Sequence, residues 1–203
     1  EKNIGMSNNF NKCLNYVKGK YFKILPADDI LEENSISSMV KIMEENNNIT
    51  ITSSNRKIIN SNSKVILKIK SMKQGIYSKE EIIKKSLING SNIVGEPGAV
   101  LIRSEFIDKI NLNRYETDYF IDFNLYLEFL TFGDLFHLDD FLYSFRIWNN
   151  SYSVIHKNKQ LNLTLSYFPS LTENKIMKLI CIINIYKKVY LKQILYLFVN
   201  KFM

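Results

Sequence analysis

The sequence predicts an α/β domain built on a mixed, mostly parallel sheet and followed by a helical tail. Three observations predict it. Helix-type and strand-type segments alternate from the start of the chain to about Ser153, the pattern of layered α/β folds. The apolar segment Tyr21 to Leu25 runs straight into two adjacent carboxylates, Asp28 and Asp29, and open α/β sheets collect ligands beyond the carboxyl ends of their strands. From Thr172 to Met203 the pattern turns helical and stays so.

Taken in order, Phe10, Cys13, Leu14 and Val17 recur at helical spacing, and Gly19 ends that helix. The strand Tyr21 to Leu25 follows. Ile30 to Glu45 reads as a second helix with Ile36, Met39, Val40 and Met43 on one face, and Asn46 to Asn48 breaks it. Ile49 to Thr52 is a short β-branched strand. Between Ser53 and Asn92 the periodicity weakens, which predicts a loop-rich region with an edge strand or hairpin arm at Val65 to Ile69 and a short helix at Lys79 to Leu87. Gly95-Glu-Pro-Gly98 is a turn leading into a strand, Ala99 to Arg103, and a short helix from Ser104. Phe120 to Phe132 is an apolar helix carrying Asp122, Asn124 and Glu128, with Gly133 as its stop. Leu135 to Leu138 and Phe141 to Ile147 are extended, with a kink at Asp139-Asp140.

In the tail, Asn174, Lys178, Cys181, Asn184, Lys188 and Lys192 form one polar stripe on an otherwise apolar helix. Its apolar runs fall short of the roughly 20 residues that span a bilayer. The division predicted is an α/β domain over 1–153 and a basic, apolar helical tail over 154–203.

The net charge of +7 is unevenly placed: residues 154–203 hold eight lysines against the single acid Glu173, and the remainder is balanced. A neutral body excludes nucleic-acid binding over the whole surface. A basic, apolar tail points to an anionic membrane surface or a protein partner. Two distant cysteines, Cys13 and Cys181, argue for buried thiols in a reducing compartment rather than a disulfide framework. With no apolar signal segment in Glu1 to Asn9, the expected location is the cytoplasm. The first residue is Glu rather than Met, so the chain is expected to be a fragment or a processed product. No G-x-G-x-x-G or Walker-type phosphate loop is present.

Asp28 and Asp29 admit two readings. Paired acids at a sheet edge can hold a hard divalent cation, which in turn holds a diphosphate; they equally suit a solvated turn before a helix N-terminus. His137 and His156 have no partner at metal-site spacing, which makes them structural or exposed.

The order of short motifs resembles the family 2 glycosyltransferases of bacterial surface-polysaccharide pathways. Asn3-Ile-Gly5 and Asn8-Asn-Phe-Asn11 are similar to that family's N-x-G segment and following helix. Gly19-Lys-Tyr21 to Ala27-Asp-Asp29 looks like its D-x-D position in the common D-D form. Asn92-Ile-Val-Gly-Glu-Pro97 with Ala99 to Arg103 resembles the acceptor-side segment, and Asp122-Phe-Asn-Leu-Tyr-Leu127 with Gly133-Asp134 resembles the D-x-D-L-W-L helix. Phe145-Arg146 with Asn149 to Ser153 resembles the closing strand, where Trp148 takes the place of a usual His. The likeness covers Glu1 to about Ser153. It implies a partial glycosyltransferase A-type fold lacking the front nucleotide-binding half, and hence a truncated chain that binds donor poorly.

By that resemblance Asp29 would hold Mn²⁺ or Mg²⁺, with Asp28 on the metal or the donor sugar. Arg146 and Trp148 would lie on the donor side, Glu96 would touch the acceptor, and Asp122 would be the general base of an inverting transfer. The donor would be UDP-linked and the acceptor a glycan or a lipid-linked sugar; the tail, by its own charge and apolarity, is expected to dock on the inner face of the cell membrane or on a partner. Beside each role stands a structural reading: Asp122 as a helix N-terminal acid, Glu96 as a solvated turn residue, Arg146 paired with Asp139 or Asp140, and Trp148 in the core. Two rival functions remain, a non-catalytic assembly module of the same fold and a nucleotidyltransferase using carboxylates on Mg²⁺.

Overall fold

A buried run of polar residues lies at the centre of the sheet. The computed structural model describes residues 2, 4–110, 119–147 and 157–201. They fall into two compact units, one within Glu1–Lys79 and Val94–Trp148, the other within Glu80–Ile93 and Asn149–Met203.

In the first unit, strand β3 (Ile49–Ile59) lies beside β7 (Asp134–Arg146) in parallel, from Ile49 opposite Asp134 to Ile59 opposite Arg146. Thr50, Thr52, Ser53, Ser54 and Asn55 of β3 are all fully buried. Buried polar groups seek partners: Thr50 and Ser54 donate to backbone carbonyls, Thr52 Oγ1 is left without one, and a chain of side chains across the two strands serves Ser53 and Asn55. Ser53 Oγ is 2.8 Å from His137 Nδ1, His137 Nε2 is 3.1 Å from Asn55 Oδ1, and Asn55 Nδ2 donates to Asp139 Oδ1 at 2.8 Å. Asn55 Oδ1 also accepts from the Ser71 N–H, so the neutral imidazole carries its proton on Nε2 and accepts at Nδ1 from the Ser53 hydroxyl. Lys70 closes the chain on Asp139. The sequence reading ended this strand at Thr52 and expected loops beyond it, because a Ser-Ser-Asn run has no strand signature of its own.

The other strands are short. β6 (Val100–Arg103) lies on the far side of β3, and β1 (Tyr21–Phe22) pairs with β6. β2 (Ile30–Leu31) and β5 (Gly75–Tyr77) pair with β7, and β4 (Val65–Ile69) returns along β3. The α/β class with a mixed sheet holds, but the sheet is not mostly parallel. Among the described pairings only β3 with β7 runs parallel. The connection between β3 and β4, residues 60–64, is far too short for a parallel crossover. The kink foreseen at Asp139-Asp140 is a bulge: Ser54 opposes Leu138 and Asn55 opposes Phe141, leaving the two aspartates unmatched.

Helix α2 (Ser35–Glu45) starts later than its periodicity suggests, since Ile30 and Leu31 pair with Ser144 and Tyr143. It buries Met39 and Met43 against Ile49, Leu101, Leu138 and Leu142. Arg103, only 5% exposed, closes the end of α2, donating to the Met43 carbonyl at 2.7 Å and the Ile49 carbonyl at 3.1 Å. A cation on the last carbonyls of a helix satisfies groups that otherwise lack donors. Helix α1 (Met6–Leu14) buries Phe10 and Leu14 but leaves Cys13 exposed, contrary to the expectation of two buried thiols.

The second unit holds α3 (Lys79–Asn89), α5 (Lys157–Ser170) and α6 (Lys175–Lys201); α4 (Ile121–Phe129) belongs to the first. Gly90 ends α3 with φ +62°, and a Cβ there would sit 2.7 Å from the Ile185 nitrogen, so both the turn and the close approach of α6 require glycine. Asn184 donates to the Ile88 carbonyl at 2.6 Å, Lys188 reaches Ser91, and Cys181 is buried. The middle of the foreseen polar stripe thus lies along α3 and the residues after it, with Cys181 buried, Asn184 half-buried and Lys188 exposed.

Burial lowers the His137 imidazole to about 4. As pH falls the unfolded chain takes up its proton first, near 6.5, so the stability this neutral histidine contributes is complete above that value and is lost toward the folded value. Denaturant midpoints should decline steadily between neutral pH and about pH 5, and His137→Gln should flatten that slope.

Candidate active site

The carboxyl-terminal ends of β3 and β7 place Arg56 directly opposite Tyr143, and each side chain reaches a different part of the turn Gly95-Glu-Pro-Gly98. Arg56 Nε lies 2.8 Å from Glu96 Oε2, an ion pair shielded on the arginine side. The Tyr143 ring covers Gly98 so closely that a Cβ there would meet the ring at 2.1 Å. From the β1 side, Lys23 donates to the Gly98 carbonyl at 2.7 Å, and burial pulls its ammonium down to about 7. Three side chains from three segments thus hold one four-residue turn.

The same tyrosine holds the first acidic pair. The Tyr143 hydroxyl donates to Asp29 Oδ2, and the Arg146 N–H donates to Asp29 Oδ1 at 2.8 Å. Burial raises the Asp29 carboxyl above the usual range; the two donors oppose that rise, and the nearby charges of Asp28 and Glu96 add to it. Asp28 is exposed, and its carbonyl accepts from Arg146 Nε at 2.7 Å. Arg146 also donates to the Asn60 and Ser61 carbonyls and to Ser63 Oγ. It does not pair with Asp139 or Asp140, one alternative the sequence left open: Asp139 is taken by Lys70 and Asn55.

Asp122 stands half-buried in the first turn of α4, where its Oδ1 accepts from the Phe123 N–H at 2.8 Å. One turn on, the Tyr126 hydroxyl is fully buried and held far above its ordinary pKa, first by burial and then by the charges of Asp122 and Glu96. Tyr143 is raised by burial, Asp29, Glu96 and Tyr126. Asp29, Glu96 and Asp122, distant in sequence, therefore share one electrostatic neighbourhood with two tyrosines between them. Trp148 and His156 lie outside the described residues.

The resemblance assigns a divalent cation to Asp29. Each of its carboxylate oxygens accepts one hydrogen bond from the protein and keeps a further lone pair, and among the described residues no three of His, Cys, Asp and Glu gather as a metal cage.

Sequence reasoning did not find Tyr143, Arg56 or Lys23. Each looks like an ordinary strand residue, and only the register of β3 with β7 and the position of the turn give them work. The one available signal was Gly98, whose missing side chain leaves room for a ring.

Carboxylates at the carboxyl edge of the parallel strand pair of a mixed α/β sheet stand where open α/β folds collect ligands. The family model for Glycosyl transferase family 2 matches residues 1–110, more than half of the chain, and the chain belongs to that family. A protein of Methanocaldococcus jannaschii described as an uncharacterized glycosyltransferase is 28% identical over 206 residues, covering 98% of this chain and 66% of its own length. The crystal structure of residues 1–349 of TarS from S. aureus shares the fold with a TM-score of 0.51 at 12% identity, covering 90% of this chain and 51% of that one. The chain thus spans just under two thirds of the curated relative and half of the solved structure. The matched residues include Asp28, Asp29 and Glu96, whereas Asp122 and Arg146 lie beyond them.

Tyr143→Phe should lower stability by about 1–2 kcal/mol through loss of the hydroxyl to Asp29. Gly98→Ala, which must displace the ring, should cost about 3 kcal/mol. Urea unfolding of the two variants beside the parent protein checks both the values and their order.

Proposed function

We propose that this chain serves transfer of a sugar from a nucleotide donor, UDP-linked, to a glycan or lipid-linked acceptor in surface-polysaccharide synthesis, with inversion at the anomeric carbon. Family membership supports the reaction class. The observation that carries the site is the linkage of two acidic turns at the carboxyl edge of β3 and β7: Tyr143 covers Gly98 beside Glu96 and donates to Asp29, while Arg56 pairs with Glu96.

In this reading the acceptor hydroxyl attacks the anomeric carbon, the bond to the diphosphate breaks with its electron pair leaving on the phosphate oxygen, and Asp122 takes the hydroxyl proton. The half-buried carboxylate of Asp122 stands in the first turn of α4, and its neighbour Tyr126 keeps its proton at neutral pH, leaving Asp122 as the group able to accept one. Glu96, fixed by Arg56, presents a polar edge to the acceptor. Asp28, at the surface of its turn, faces the donor, and Arg146 places positive charge beside that turn, the sign a departing diphosphate needs. Asp29 holds the turn in place through Tyr143 and Arg146. The expected setting is the cytoplasm, at the inner face of the membrane, where lipid-linked acceptors are found.

Titration calorimetry with UDP, with and without Mn²⁺, tests donor binding by this chain. Binding that weakens in Asp28→Ala supports the reading. Asp122→Asn should then leave UDP binding unchanged and reduce sugar transfer about a thousandfold. Absence of UDP binding under both conditions would favour a non-catalytic assembly module of the same fold.

A further inference from the structure

The outer face of α6 is apolar over most of its length. Ile176, Leu179, Ile183, Tyr186, Tyr190 and Leu191 are between 55% and 71% exposed, and Ile180, at 36%, lies among them. At about 100° per residue these side chains cover an arc of roughly 140° and a length near 23 Å. The opposite face carries Cys181 and Ile185, both buried, with Asn184 and Lys188 tied to α3 and the residues that follow it. The helix buries Cys181 and Ile185 and leaves its larger apolar surface outside. Scattered exposed apolar residues need no account, whereas a continuous face of this size marks an interaction surface.

We infer that this face of α6 docks on a membrane surface rich in anionic lipid headgroups. Charge selects that occupant. Lys187 stands within the apolar arc and Lys175 at its border, and α5 and α6 together with the residues joining them hold eight lysines against Glu173 alone. Against a second copy of the same face, Lys187 would be buried in an apolar contact or set against its own mate, and both arrangements are costly. On a bilayer, lysine stems lie along the apolar surface while their ammonium groups reach the phosphates, and the two tyrosines suit the interfacial layer. Among the described residues no helix is long and apolar enough to cross a membrane, so the contact lies in the plane of the surface. The inference rests on the helical unit and not on the transferase reading.

Co-sedimentation of the chain with vesicles of phosphatidylcholine alone, and with vesicles rich in phosphatidylglycerol, tests it. The protein should pellet with the anionic vesicles and stay in solution with the neutral ones. Lys187→Gln should weaken partitioning about fivefold, and Ile183→Glu more than tenfold. Ile183 is exposed, so circular dichroism should find that variant folded; Leu179→Glu provides a second, independent break in the same face. Failure to pellet with anionic vesicles overturns the inference, as does equal binding by Ile183→Glu and the parent. Light scattering that shows a dimer dissolved by Ile183→Glu also overturns it, in favour of self-association.

Discussion

The parallel pairing of β3 with β7 is the constraint on which the other features of the first unit depend. It is the one parallel pairing among the described strands, and it sets every other strand in place on one side or the other. Because the strands run the same way, their carboxyl ends finish at one edge of the sheet, and Arg56 and Tyr143 arrive there as direct neighbours. A slip of one strand by one residue would turn one of these two side chains to the opposite face and part the pair. The turn Gly95-Glu-Pro-Gly98 and the Asp28-Asp29 turn would then lose the groups that fix them.

The register is set largely by polar matching. Ser53, Asn55, His137 and Asp139 satisfy one another only in the observed alignment. Apolar side chains tolerate small displacements, but buried hydrogen bonds do not, because an unmet buried donor or acceptor costs about 1–3 kcal/mol. The bulge at Asp139-Asp140 brings Asp139 within reach of both Asn55 and Lys70 and restores the pairing beyond it. A neutral histidine is part of this arrangement: a charged imidazole would have to be accommodated in the interior of the sheet with a single distant acid to balance it.

Tyr143 links the two halves of the candidate site. Its ring replaces the side chain that Gly98 lacks, and its hydroxyl engages Asp29, so one residue sets the spacing between the turn at 95–98 and the Asp28-Asp29 turn. Arg146, three residues on, repeats the pattern with its backbone on Asp29 and its guanidinium on Asp28 and the 60–63 loop. Such double anchoring suits a site that gathers three carboxylates, since their mutual repulsion would otherwise spread the turns apart. Asp29 is thereby a framework residue, while Asp28 and Asp122 keep more open positions.

The sequence by itself determined the α/β class, the positions of α2, α3, α4 and β6 to within a few residues, and the break at Asp139-Asp140, since each is written in local periodicity or in Gly and Asp punctuation. Asp28, Asp29, Glu96 and Asp122 were legible as candidates because short motifs in a fixed order carried them. The tertiary structure alone decided the rest. β3 continues to Ile59 because partners on β7 meet Ser53 and Asn55, and no local pattern encodes a partner some 84 residues away. Ile30 and Leu31 read as helix until β7 offers them a ladder. The stripe on α6 is polar by composition, yet Asn184 and Lys188 find acceptors on and just after α3, and the apolar side is left out. Hydrophobic pattern tells which residues share a face, whereas the direction of that face depends on the hydrogen-bonding partners that the folded chain brings to it.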